Sequence, residues 1–273
     1  MRMEYFVDAG HLEGVDDLLA AIDNAATQRY GHVKTAHHVW VNSLVESDPK
    51  LFSWINEVRG PFLGKVCDAY PGYACVSVPE VDELYWGVSS PEASGSDRSL
   101  VDCHYDAPFG GLISGNIVFY RVIVACNKNT STFTVFPESG IRARMTTGDY
   151  HGLDYNNDLH CVEGHIPVDQ HRVLLKLHYM AVPPGAERYA SFVKWINVHW
   201  TFGSRALMQM SAAPTTLVGH CVALIVNSSR IIWNNFMAIL CVITVLVCVL
   251  YIWSKNKHRA LDTATTRGAS HRS

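Results

Sequence analysis

Between residues 100 and 182 the chain breaks into short segments in which apolar and polar side chains alternate. Turn signals cut them at Asn127-Lys128-Asn129 and Thr147-Gly148-Asp149. The segments are 100–105, 116–126, 131–136, 141–155, 159–162 and 172–182. Several short strands at this spacing predict a sandwich or jelly roll. The last segment, RVLLKLHYMAV, is the most informative. On a strand Arg172, Leu174, Lys176 and His178 share one face, and Val173, Leu175 and Leu177 share the other. A cation opening so apolar a strand needs a counter-ion or an outlet to water.

The flanks read differently. Leu12, Val15, Leu18, Leu19 and Ile22 recur at helical spacing, and Leu51, Phe52, Trp54, Ile55 and Val58 repeat the style up to Gly60-Pro61. Residues 184–230 look helical again, with Trp195, Ile196, Trp200, Leu207 and Met208 as its buried positions. The polar stretch 89–99 reads as a surface loop ahead of the strands, in preference to a mobile lid. The fold class is therefore α+β: a jelly roll (double-stranded β-helix) flanked by N-terminal and C-terminal helices. Residues 1–70 form a helical support region, 71–183 the β core and 184–230 a C-terminal helical region.

Residues 236–253 (FMAILCVITVLVCVLYIW) carry no charge, and with Ile231, Ile232 and Trp233 the run is long enough to cross a bilayer. We expect one transmembrane helix over 231–253 and a basic tail over 254–273. Lys255, Lys257 and Arg259 favour a cytoplasmic C-terminus. MRMEYFVDAGHLEG lacks the apolar stretch of a signal peptide, and on that ground the main domain is expected in the cytosol. The formal net charge of −3 and the lack of a basic stripe give no case for nucleic acid. The 8 cysteines show no CxxC spacing, which argues against structural zinc.

Most of the 14 histidines read as solvent-facing or locally satisfied, among them His37, His38 and His151. His104-Tyr105-Asp106 stands apart. On a strand His104 and Asp106 point the same way, and a second imidazole would complete two histidines and one carboxylate on one side of a metal. That set leaves three positions open and suits non-haem Fe(II). His160 is the preferred second imidazole, with His165 and His178 as rivals. Arg172 would hold an acidic co-substrate bidentately.

With HYDAPF, FYRVIVACN, TTGDYHGLDYNNDLH and HRVLLKLHY in place, residues 100–183 resemble the Fe(II)/2-oxoglutarate-dependent dioxygenase superfamily, in the style of members from algae and large DNA viruses. The resemblance implies an HxD…H…R pattern on a double-stranded β-helix. Iron would be held by His104, Asp106 and His160, and the distal carboxylate of 2-oxoglutarate by Arg172, with Tyr120 hydrogen-bonded to it. Leu174 stands where many members have Ser or Thr, which makes Lys176 a rival anchor. Fe(II), 2-oxoglutarate and O2 are implied, with ascorbate as a further cofactor, and the product is a hydroxylated substrate of unknown kind. The same architecture would make Cys103 and Cys161 cross-strand neighbours on the outer face. Two other readings fit the sequence: a non-catalytic jelly-roll membrane protein, and a metal-dependent cupin-like enzyme that does not use 2-oxoglutarate.

Overall fold

The computed structural model describes residues 9–33, 36–88, 103–106, 116–164, 166, 170–212, 217 and 220–221. In chain order the strands are β1 (Ala9–His11), β2 (His37–Trp40), β3 (Ala74–Ser77), β4 (Glu83–Val88), β5 (Val118–Ala125), β6 (Asn129–Phe136), β7 (Ile141–Met145), β8 (Asp149–Asp154), β9 (Cys161–Gly164) and β10 (His171–Val182). The helices are α1 (Asp16–Tyr30), α2 (Leu44–Ser47), α3 (Pro49–Ala69) and α4 (Glu187–Ala212). The larger sheet runs β1-β8-β5-β10-β4-β2, with β3 also paired to β10, and the smaller runs β7-β6-β9. All strand pairs are antiparallel. This is the helix-flanked, two-sheet arrangement expected from the strand spacing.

The alternation expected for β10 decides which side of the larger sheet does what. Val173, Leu175, Leu177 and Tyr179 join Tyr120, Val122 and Val124 of β5 in one core. Leu19 and Ile22 of α1 and Leu51, Ile55 and Val58 of α3 close it from above. The other face divides in two. Leu174, Ile123, Ala125 and Leu153 pack against Phe136, Ala143 and Met145 from the smaller sheet and its edge. Phe119, Met180 and Val182 pack against Val193 and Val198 of α4.

Two expectations are corrected. Within the 1–70 region the helices are joined by short strands: His37–Trp40 pairs with β4, and Ala9–His11 with β8, so both extend the larger sheet. The helix expected to end near Gly60-Pro61 continues to Ala69 with Pro61 inside it. A helix-interior proline costs about 3 kcal/mol. Here it lies on the exposed side while Phe62 and Val66, each 1% exposed, extend the buried stripe; burying two such side chains contributes about 1.5–3 kcal/mol apiece. Among the described side chains of α4 the buried positions are Val193, Asn197, Val198, Thr201 and Arg205, whereas Trp195 is 56% and Trp200 40% exposed; the side chains of Leu207 and Met208 lie outside the described ones.

Among the described residues no helix is long and apolar enough to cross a membrane. The expected span 231–253, the tail 254–273 and the 89–99 loop lie outside the described residues, as does His165.

Candidate metal centre

His104 and His160 face each other across an antiparallel bridge. The His104 N–H donates to the His160 carbonyl at 2.9 Å, and the His160 N–H returns the bond at 3.1 Å. Residues that exchange both bonds point to the same side, so the rings meet, with centroids 4.6 Å apart. Asp106, two residues along, shares the side of His104. One ligand atom from each of His104, Asp106 and His160 lies within 4.8 Å of the others. Asp106 Oδ1 is 4.0 Å from His104 Nε2, and Asp106 Oδ2 is 3.6 Å from His160 Nε2. Two donors at about 2.1 Å from one ion, in neighbouring positions, stand about 3 Å apart. A bound ion would thus draw Asp106 Oδ1 and His104 Nε2 together by about an ångström.

The next position out points the other way. Cys103 and Cys161 flank the histidine pair and are joined in a disulfide, with Cα atoms 4.2 Å apart. The cross-strand register expected for them is present.

The three groups are prepared as ligands. His160 Nδ1 lies 3.2 Å from the Asp158 carbonyl and donates to it, which leaves Nε2 unprotonated and facing Asp106. Burial holds the His160 pKa below its ordinary value, so the ring is neutral. Burial alone would raise the pKa of Asp106, but Arg121, His160 and His104 outweigh it and keep the carboxyl ionised, well below the usual carboxylate range. A neutral imidazole and an ionised carboxylate are what a divalent cation needs.

The two rival anchor cations differ in what already satisfies them. Lys176 lies 3.5 Å from Glu83 Oε2 and sits over the Tyr85 ring at 5.1 Å. Glu83, fully buried, also receives Arg205 Nε and His38 Nδ1, each at 2.9 Å. Burial and Arg205 push the Lys176 ammonium down to about 7 against the pull of Glu83. Arg172 is 5% exposed, and its Nε has no hydrogen-bond partner among the described residues. It shares the inner side of β10 with Leu174. A buried, unpaired guanidinium is costly unless a ligand meets it.

Tyr120 is corrected. It belongs to the core beneath the helices, not to the side that carries Arg121, and its ring faces Tyr70 at 6.0 Å. It lies over Gly152, where a Cβ would fall 2.1 Å from the Tyr120 hydroxyl. His178, the rival ligand, is fully buried and bonded to Arg121 and Asp82, outside the histidine–aspartate trio. Two neighbours of the site went unread in the sequence. His151, expected to be solvent-facing or locally satisfied, is fully buried on β8, with Nδ1 3.1 Å from Met145 Sδ and no partner on Nε2 among the described residues. Arg121 is the other. Its signal was the parity of β5, which places it on the side opposite Tyr120.

No protein-family model matches the chain, and no curated protein matches it in sequence. Among solved structures it is similar to the 2-oxoglutarate complex of the viral collagen prolyl hydroxylase of Paramecium bursaria Chlorella virus 1. Identity is 12% and the TM-score 0.43, over 65% of this chain and 96% of that one. It is similar to AviO1 from Streptomyces viridochromogenes (10% identity, TM-score 0.43, 66% and 90% covered). A third is SnoN, the non-haem α-ketoglutarate-dependent epimerase of nogalamycin biosynthesis (13% identity, TM-score 0.40, 66% and 80% covered). The likeness is to 2-oxoglutarate-dependent oxygenases. At these scores it supplies none of the chemistry below, which rests on the residues themselves.

Proposed function

We propose that this protein is an Fe(II)/2-oxoglutarate-dependent oxygenase that hydroxylates a substrate of unknown class. The observation that carries the reading is the convergence of His104, Asp106 and His160 on one spot beside the inner side of the larger sheet. Two imidazoles and one carboxylate on one side of an ion suit Fe(II) and leave room for a chelating co-substrate and O2. When bound, iron with 2-oxoglutarate supplies the oxidising power for C–H hydroxylation. The chain's own part is to present Nε2 of His160 and an ionised Asp106 to the metal, and to hold the far carboxylate of the co-substrate with Arg172. The apolar surround of Ile123, Phe136, Leu153 and Leu174 excludes water from that end.

Lys176 is the weaker anchor because Glu83 already compensates it. Succinate release from 2-oxoglutarate by the full chain with Fe(II), against His104→Ala, tests the reading. Turnover in the parent and none in the variant is expected; equal release from both would end it.

We further propose that residues 231–253 attach the protein to a membrane. Support comes from the uncharged run and from α4, where Tyr189, Phe192 and Trp195 are 50%, 59% and 56% exposed. Aromatic rings of this kind favour the bilayer interface. The Cys103–Cys161 disulfide favours an oxidising compartment over the cytosol expected from the N-terminal sequence. Basic residues after the run then place the tail on the cytoplasmic side and the metal centre on the other.

A further inference from the structure

Arg121, 1% exposed, is a cation wholly enclosed by the fold. Its Nη1 donates to Asp106 Oδ2 at 2.5 Å, and its Nε to His178 Nε2 at 2.9 Å. The guanidinium carbon stands 4.4 Å from the centre of the Tyr155 ring, whose hydroxyl meets Thr201 Oγ1 of α4 at 2.8 Å.

Each partner is fixed in turn. Because His178 Nε2 accepts from Arg121, the proton of the neutral ring is on Nδ1, which faces Asp82 Oδ1 at 3.2 Å. The His178 backbone N–H donates to the same oxygen at 2.7 Å, and Arg59 Nε of α3 donates to Asp82 Oδ2 at 2.8 Å. The guanidinium is thus held by β10, by α4 through Tyr155 and by α3 through Asp82. It cannot swing away from Asp106 without leaving His178 Nε2 buried and short of a donor.

We propose that Arg121 is the positioning residue of the metal centre, holding Asp106 so that only Oδ1 is offered to the ion. The inference rests on the iron-site reading above. A carboxylate oxygen engaged in a short, charge-assisted bond is a poor second ligand. With Oδ2 occupied, Asp106 supplies one donor and three positions stay open for co-substrate and O2. Released from Arg121, the carboxylate turns and binds the ion through both oxygens, closing one of them. Sequence distance hides this: Arg121 lies 15 residues from its partner, on the strand after the HxD segment.

The test loads the full chain with Co(II) and follows its visible d–d absorption, then titrates 2-oxoglutarate at saturating metal. Arg121→Gln is expected to shift the Co(II) spectrum and to weaken metal-dependent 2-oxoglutarate binding about tenfold or more. Arg121→Lys, which keeps the charge and one donor, restores most of both. A Gln variant with an unshifted spectrum and binding within about threefold of the parent overturns the proposal while leaving the iron site standing. Should the Gln variant fail to fold, His178→Leu loosens Arg121 with its charge retained. A smaller shift in the same direction is then expected, and an unchanged spectrum overturns the proposal. A parent chain that binds no Co(II) removes the iron reading, and the inference with it.

Discussion

Cys103 and Cys161 are disulfide-bonded one position outside the backbone pair of His104 and His160, so the covalent bond and the two imidazoles sit back to back on the same two strands. Residues 103–106 are tied to the rest of the described fold by the His104–His160 bridge, the disulfide and the Asp106–Arg121 pair, among other contacts. The disulfide therefore bears on the placement of His104 and Asp106, two of the three proposed ligands.

Breaking the disulfide should cost both stability and metal. It spans 58 residues, and closing a loop of that length stabilises by about 4 kcal/mol in the chain-entropy account. Cys103→Ser is expected to lower the thermal midpoint by about 10 °C and to weaken Co(II) binding. Calorimetry and metal titration check this, and a variant that melts with the parent contradicts it.

Arg172 should trade stability for function. Replacing a buried guanidinium whose Nε has no partner among the described residues with Met removes a desolvated charge, so Arg172→Met is expected to be as stable as the parent or more so. The same change should raise the 2-oxoglutarate KM about 100-fold, the loss of a buried charge-assisted contact. Lys176→Met should do the reverse, destabilising the chain by leaving Glu83 short of a cation, with a smaller effect on KM. Thermal melts paired with 2-oxoglutarate titrations separate the two.

The acid side of the stability curve should carry the mark of His38. Burial, together with Arg205, lowers its pKa to about 4 in spite of Glu83. The unfolded chain takes up this proton near pH 6.5, before the native one does. Stability is therefore full above that pH and is lost as the pH falls towards 4, by about 3 kcal/mol. His38→Gln is expected to flatten that slope in urea titrations between pH 7 and 4. An unchanged slope would assign the loss to other groups.

The exposed aromatic side of α4 should contribute nothing to folding. Phe192→Ser with Trp195→Ser is expected to leave stability within about 0.5 kcal/mol, as for surface substitutions generally. In the full chain reconstituted into vesicles, the same pair should reduce tryptophan quenching by brominated lipids. Quenching equal to that of the parent would take this side of α4 off the membrane.

What could be read from the sequence was local. The parity of β10 followed from alternation alone, and His104 with Asp106 from the same rule. The register that sets Cys103 against Cys161 followed once His104 was paired with His160. What could not be read depended on partners far away in the chain. Tyr120 and Arg121 differ by one position, and only the pairing of β5 with β10 and β8 decides which of them faces the proposed metal ligands. Pro61 looked like a helix end because the cores of Phe62 and Val66 are assembled from other elements. Trp195 looked buried because its size argues for a core, while α4 buries the 193–197–201–205 stripe beside it.

The most direct test of the central claim is 2-oxoglutarate binding to the full chain, measured by calorimetry under anaerobic conditions with Mn(II) and again with a chelator. The account expects binding that requires the metal and is lost in both His104→Ala and Arg172→Met. Equal binding with and without metal, or none in either condition, would contradict it.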